Sequence, residues 1–352
     1  MTRRKMVIIG LDCAEPSLVF ERLADVVPTC RALSRNGFAA RLRSTDPPLT
    51  IPAWAAMTTG CDPGRLGCYG LRNRESAEYD ALRIATSDAI DAPRIWDTLG
   101  DSGLTSVIVG VPQTYPVHPM HGTLVAGMLA PSTQSNFTWP PEFRTELLGR
   151  FPNYALDIEN FRTLEPDRLA RRIESMTRTR FALFRTLLQS RAWDFAMMVE
   201  IGLDRLHHAF WHYWDPNHPL HPGDTVLASV IPDYYRLLDS EIRDTLSVLP
   251  DDTAVLVVSD HGAQPMRGGI RINQWLIQNG FLTLKTTPTQ ELPLTPDLVD
   301  WRRTHAWGEG GYFGRIFLNV SGREPHGIIP CDSVNRVRED IAIRLESMME
   351  PV

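Results

Sequence analysis

Short apolar runs that stop abruptly at charged or imidazole side chains limit what this chain can fold into. Residues 6–11 read MVIIGL and end at Asp12. Residues 195–201 read FAMMVEI and lead through Gly202 and Leu203 to Asp204 and His208. Residues 253–258 read TAVLVV and run into Ser259, Asp260, His261 and Gly262. Runs of this kind are strands covered on both faces. Two more lie at 105–111 and 312–320. Helical spacing fills 18–33 with a break or kink at Pro28, then 52–59, 94–99, 165–189, 205–214, 231–249 and 273–278. Strands alternating with helices predict an α/β fold around a mostly parallel sheet. Such sheets bind ligands beyond the carboxyl ends of their strands, where Asp12, Asp204, His208, Asp260 and His261 stand.

Charge narrows the partners. Lys+Arg of 36 against Asp+Glu of 42, a net −6 in 352 residues, excludes the basic character of an obligate nucleic-acid binder. Hydrophobic residues at 43% and charged residues at 22% belong to a globular chain, not a disordered one. The basic start and first apolar run superficially resemble a leader, but Asp12 cuts the run too early for a leader core or a membrane span. Five cysteines without a CxxC pair indicate neither a disulfide framework nor a zinc ribbon, so the cytoplasm is expected. The Pro-rich segment 112–152 and the polar segment 285–309 are expected to be insertions in one domain spanning 1–352, because candidates from Asp12 to His261 converge on one site.

Each candidate alone has an ordinary explanation. Asp12 could cap a helix or form a turn. Asp204 and His208, at i and i+4, share a helix face as a metal pair requires, and as a plain surface pair also does. Asp260 and His261 could be a cap and a structural histidine. Three strand ends supplying carboxylate or imidazole together favour a metal site, and mixed Asp/His donors suit zinc or manganese better than magnesium alone. Thr50 stands two residues before Pro52, which favours a helix start. A hydroxyl there either caps the helix or meets its free N–H groups, the usual setting for an anion. A metal beside it makes the hydroxyl a nucleophile.

The ordered set GLD (ending at Asp12), PPLTIPAWAAMTTG (containing Thr50), DRLHH (204–208) and SDHG (259–262) resembles the alkaline phosphatase superfamily. The nearest branch is the type I phosphodiesterase/nucleotide pyrophosphatase group with its bacterial phosphohydrolase relatives. TGCDPGRLG at 59–67 is similar to the family's TG-x-x-P-x-x-H-G, and NQWL at 273–276 and NVSGREP at 319–325 are similar to bacterial members. The resemblance covers nearly the whole chain in order. It implies an alkaline-phosphatase-like three-layer α/β/α fold and two divalent metal ions, zinc or manganese. One ion would be held by Asp12, Thr50, Asp260 and His261, the other by Asp204, His208 and a further histidine. It also implies in-line attack by Thr50 and a covalent phosphothreonine-type intermediate. The bonds cleaved would be phosphodiester or nucleotide pyrophosphate bonds of a small phosphorylated substrate, nucleotides included. A sulfatase is disfavoured, because the nucleophile position holds Thr50 and not a cysteine. No membrane partner is expected.

Some positions depart from the family pattern. Ala53 stands where eukaryotic relatives carry an Asn that contacts a phosphoryl oxygen, so a backbone N–H, Arg65, Arg72 or Arg74 must replace that donor. Leu66 replaces a histidine expected to be structural. The last histidine ligand, in a G-x-H-x-x-x-G-like segment, has no counterpart; His305 and His326 are the histidines downstream of His261. The expectation is that the family's C-terminal part lies beyond Val352. Alternatives are a metal-dependent phosphomonoesterase or mutase on the same fold, or a truncated relative that binds phosphorylated ligands without turnover. Cys13 reads as a packed small residue, and Trp211, Tyr213 and Trp214 as core packing or a base-stacking platform.

Overall fold

The computed structural model describes residues 4–290 and 292–348. Glu291, within the expected insertion 285–309, and the chain end 349–352 lie outside the described residues. Two compact units form, Met1–Asn73 with Ile84–Arg267, and Arg74–Arg83 with Gly268–Val352.

In chain order the elements up to Arg267 are β1 (Met6–Leu11), α1 (Pro28–Asn36), α2 (Thr50–Thr59), α3 (Pro63–Leu66), β2 (Arg72–Arg74), β3 (Leu82–Ile84), α4 (Ile95–Asp101), β4 (Ser106–Val109), β5 (Gly122–Val125), β6 (Thr138–Trp139), α5 (Phe143–Arg150), α6 (Pro166–Ser190), β7 (Phe195–Glu200), α7 (Gly202–Trp214), α8 (Val230–Leu246) and β8 (Ala254–Val258). Six strands make one sheet in the order β6-β5-β4-β7-β1-β8. Neighbours run parallel except β5 with β6. The α/β fold with a mostly parallel central sheet, flanked by helices, is the one expected. Segment 112–152 is not an excursion from it, because it supplies β5, β6 and α5. Those strands have four and two residues, too few for a periodicity, and prolines dominate the composition around them. Of the break or kink expected at Pro28 the structure has the break: a short helical turn at Leu18–Arg22 is followed by α1, which starts afresh at Pro28. Proline has no N–H to continue a helix but suits its first turn.

Register sets the site. Gly10 of β1 pairs with Val199 of β7 and Val258 of β8, and Leu11 with Glu200. Three strand ends therefore open side by side. Gly10 is needed because a Cβ there would lie 2.5 Å from the Trp54 ring. Below these ends, Arg180 of α6 and Glu200 form a wholly buried ion pair at 3.5 Å. Glu200 Oε1 accepts from the N–H of Gly202, 2.8 Å away, at the first residue of α7. A Cβ on Gly202 would meet the Tyr234 hydroxyl at 2.2 Å, so glycine lets α7 start against α8. The core gathers Val7, Ile9, Ile108, Ala196 and Met198 of the strands with Ile173, Phe181 and Phe184 of α6 and Phe210 of α7. Each of these side chains larger than alanine contributes roughly 1.5–3 kcal/mol by leaving water.

The second unit holds α9 (Ile272–Gln278), β9 (Ala306–Glu309), β10 (Arg315–Leu318) and α10 (Val334–Glu346). The apolar run 312–320 yields β10, which pairs antiparallel with β9 and lies outside the central sheet. The unit has its own core of Leu276, Phe281, Val299, Trp301, Trp307 and Ile341. Tyr79 stacks on Trp301 at 3.5 Å. Among the described residues no helix is long and apolar enough to cross a membrane.

Arg180→Met leaves the Glu200 carboxylate buried without its cation, which costs about 3–5 kcal/mol. Urea unfolding should show that loss, with part of it recovered in Arg180→Met/Glu200→Gln; an unchanged midpoint for Arg180→Met would refute the assigned role.

Candidate metal centre

Asp12, the residue after β1, is fully buried, and its main-chain N–H bonds to the carbonyl of Glu200 at 3.0 Å. The next residue, Cys13, has φ of 68°, a conformation uncommon for a non-glycine residue and frequent at functional sites. That turn aims the Cys13 N–H at Asp260 Oδ1, 3.1 Å away. Three more hydrogen bonds fix the loop after β8, two of them to other segments. Ala14 N–H donates to Ser259 Oγ at 2.8 Å, Ser259 Oγ donates to the carbonyl of His261 at 2.7 Å, and Ser44 Oγ donates to the carbonyl of Asp260 at 2.6 Å. Asp204 and His208 lie on α7, one turn apart, with His208 Nε2 3.3 Å from Asp204 Oδ1.

Thr50 is the first residue of α2, two positions earlier than the expected start, and its side chain caps nothing. The hydroxyl instead lies 3.2 Å from Asp12 Oδ1 and 3.2 Å from His261 Nε2. His261 Nδ1 is 2.9 Å from the carbonyl of Gly262. A carbonyl only accepts, so in the neutral ring this contact puts the proton on Nδ1 and leaves the Nε2 lone pair facing Thr50. The same Nε2 is 3.6 Å from Asp12 Oδ1 and 3.4 Å from Asp260 Oδ2. Donor atoms of Asp12, Asp204 and His261 all fall within 4.8 Å of one another.

These atoms fit a cation. Lone pairs converge there, and the buried Asp260 Oδ2 has no hydrogen-bond partner. Burial, then the charges of Asp260 and Asp204, hold the Asp12 carboxyl well above its usual range. Burial pushes Asp260 up to about 6, against the pull of the His261 charge and the Cys13 N–H. Asp204 differs: burial raises it, but the His208 hydrogen bond and the charges of His208, Arg205 and His261 outweigh that and bring it down to about 2. A buried group of carboxylates and one imidazole with free lone pairs is a divalent-metal donor set.

All six predicted residues thus lie around one cluster. His207, beside His208, turns the other way: it is buried, 3.5 Å from both Cys13 Sγ and the Tyr235 hydroxyl, with Trp211 edge-on at 5.2 Å. Burial pushes its imidazole down to about 3, so it stays neutral. The Cys13 side chain is packed, as expected. His305 and His326 are exposed residues of the second unit and are not in the three-residue group. Arg74 pairs with Glu324 at 3.0 Å, and Arg65 and Arg72 are exposed. Two contributors escaped the sequence reading. Trp54 Nε1 donates to Asp12 Oδ2 at 2.8 Å, and its i+4 spacing from Thr50 would have placed it on that face. Arg205 Nη1 donates to Asp204 Oδ2 at 2.6 Å, and nothing in the sequence signals it.

The chain matches the type I phosphodiesterase / nucleotide pyrophosphatase family over residues 6–350. It belongs to that family. It is therefore a hydrolase of phosphoric ester bonds within the alkaline phosphatase superfamily. Two crystal structures of phosphonoacetate hydrolase from Sinorhizobium meliloti 1021 share its fold. The complex with phosphonoformate has a TM-score of 0.59 at 16% identity, covering 98% of this chain and 73% of that chain. The complex with phosphonoacetate has 0.59 at 15%, covering 99% and 74%. No curated protein sequence matches the chain.

With its carboxyl raised to about 6, folded Asp260 holds its proton more tightly than the unfolded chain, where Asp titrates near 4. Through this group the metal-free protein therefore loses stability as pH rises from about 4 through about 6. In chelator, Asp260→Asn should gain stability relative to wild type across that window. Equal pH dependence of the two unfolding curves would contradict the assignment.

Proposed function

We propose that this hydrolase cleaves phosphodiester or nucleotide pyrophosphate bonds of small phosphorylated substrates with Thr50 as nucleophile and two divalent ions, zinc or manganese, as cofactors. The carrying observation is the Thr50 hydroxyl set 3.2 Å from two acceptors at the start of α2, beside a buried carboxylate oxygen without a hydrogen-bond partner. Asp12, Thr50, Asp260 and His261 would hold one ion, and Asp204 with His208 the other. When bound, the ions supply charge that stabilises the attacking and leaving oxygens.

The protein's own groups do the rest. Asp12 Oδ1 and His261 Nε2 orient the hydroxyl and offer two acceptors for its proton. The first turn of α2 leaves N–H groups without helical partners, and these take the place of the side-chain donor that Ala53 lacks. Thr50 Oγ forms a bond to phosphorus as the leaving oxygen departs, and water then opens the phosphothreonine ester. Two in-line displacements give retention at phosphorus. One catalytic domain spanning 1–352 is part of this proposal, and neither nucleic acid nor a membrane enters it. All five cysteines are free, in keeping with the cytoplasm.

The test compares hydrolysis of aryl phosphodiester and monoester substrates, with chelator and with added manganese or zinc, for wild type and Thr50→Ala. Wild type should need metal and favour the diester, and Thr50→Ala should lose activity by roughly a thousandfold or more. Acid-quenched wild type should carry phosphate or its ester on Thr50 by mass spectrometry. Full metal-dependent activity in Thr50→Ala would remove it as nucleophile, and a faster monoester would reassign the substrate class.

A further inference from the structure

Each of the three buried carboxylates has one oxygen already engaged by a protein donor. Trp54 Nε1 takes Asp12 Oδ2 at 2.8 Å, Cys13 N–H takes Asp260 Oδ1 at 3.1 Å, and Arg205 Nη1 takes Asp204 Oδ2 at 2.6 Å. The other oxygens face the cluster. Asp12 Oδ1 meets Thr50 and His261, Asp204 Oδ1 meets His208, and Asp260 Oδ2 lies by His261 Nε2. The Arg205 donor differs from the other two, since it is a full charge on a long side chain placed beside groups that would hold a cation.

Its position is fixed from behind. Arg205 Nε and Nη2 donate to the two oxygens of Asp157 at 2.9 and 2.7 Å. A guanidinium is a rigid planar fork, so a two-point grip on one side sets where the remaining nitrogen points. The guanidinium also lies 4.9 Å from the Phe161 ring. Asp157 is held in turn: Arg180 Nη2 donates to the carbonyls of Ala155 and Leu156 at 3.3 and 2.9 Å, and Arg180 is anchored by Glu200 at the end of β7.

We propose that Arg205, gripped by Asp157, is a positioning residue that occupies Asp204 Oδ2 and thereby presents Oδ1 alone, correctly aimed, to the metal centre. The proposal rests on the metal-centre reading above. A purely structural role, tying 151–161 to α7, would change stability and leave metal affinity of the folded protein alone. A purely Coulombic role would make metal binding tighter once the cation is gone. Positioning predicts the opposite sign, because groups that orient a metal ligand typically carry 10–100-fold in affinity.

The experiment titrates manganese and zinc into apo-protein by calorimetry and by the electron paramagnetic resonance of free Mn²⁺, with circular dichroism to confirm folding. Arg205→Met should bind metal ten- to a hundredfold more weakly. Arg205→Lys keeps the charge without the fork and should also bind more weakly than wild type. Asp157→Asn, at a side chain 30% exposed, removes the grip and should weaken binding several-fold even if Arg205→Met does not fold. Folded variants that bind as tightly as wild type, or tighter, overturn the positioning role. Wild type that binds neither metal overturns the metal-centre reading instead.

Discussion

Three carboxylates, on Asp12, Asp204 and Asp260, are buried together at the open ends of β1, β7 and β8. Like charges out of water repel, and the response is visible in the raised carboxyls of Asp12 and Asp260. The parallel register of three strands keeps them adjacent. Fixed donors restrain each side chain, and nearby cations offset part of the charge. Much of the surrounding framework is legible as support for that arrangement.

The support runs in layers. Glu200 anchors both the first residue of α7, through Gly202, and the α6 side chain Arg180. Arg180 catches the backbone beside Asp157, Asp157 grips Arg205, and Arg205 reaches Asp204. On the other side, Gly10 makes room for Trp54, which donates to Asp12 from the helix that also carries Thr50. Left-handed backbone at Cys13 turns an N–H onto Asp260. A left-handed residue, Cys13, and two tightly packed glycines, Gly10 and Gly202, thus lie where donors must be aimed.

Much of the fold was legible because burial on both faces writes continuous apolar runs, as in β1, β7 and β8. The short strands β5 and β6 escaped because their pairing is a tertiary fact with almost no local pattern. Similarly, β10 has strand composition but pairs with β9 outside the central sheet. In the centre, Asp12, Asp204, His208, Asp260 and His261 could be named because acidic and imidazole groups at strand ends are chemically conspicuous, and Thr50 because Pro52 marks a helix start beside it. Trp54 could be placed on the Thr50 face by its i+4 spacing alone, without its Asp12 partner, and Arg205 by nothing, since a guanidinium looks alike in sequence whether it faces solvent, core or a carboxylate.

By itself, the amino-acid order determined the donor types, their place after particular strands, and the family they belong to. Those follow from local hydrophobic pattern and chemistry, which need no knowledge of distant contacts. Only the tertiary structure decided that His208 faces Asp204 while His207 packs against Cys13 and Tyr235, and which oxygen of each carboxylate is engaged. It also decided that Thr50 Oγ lies between Asp12 and His261. Such choices depend on side-chain orientation across strands separated by hundreds of residues, and a hydrogen bond is lost with a displacement of about an ångström.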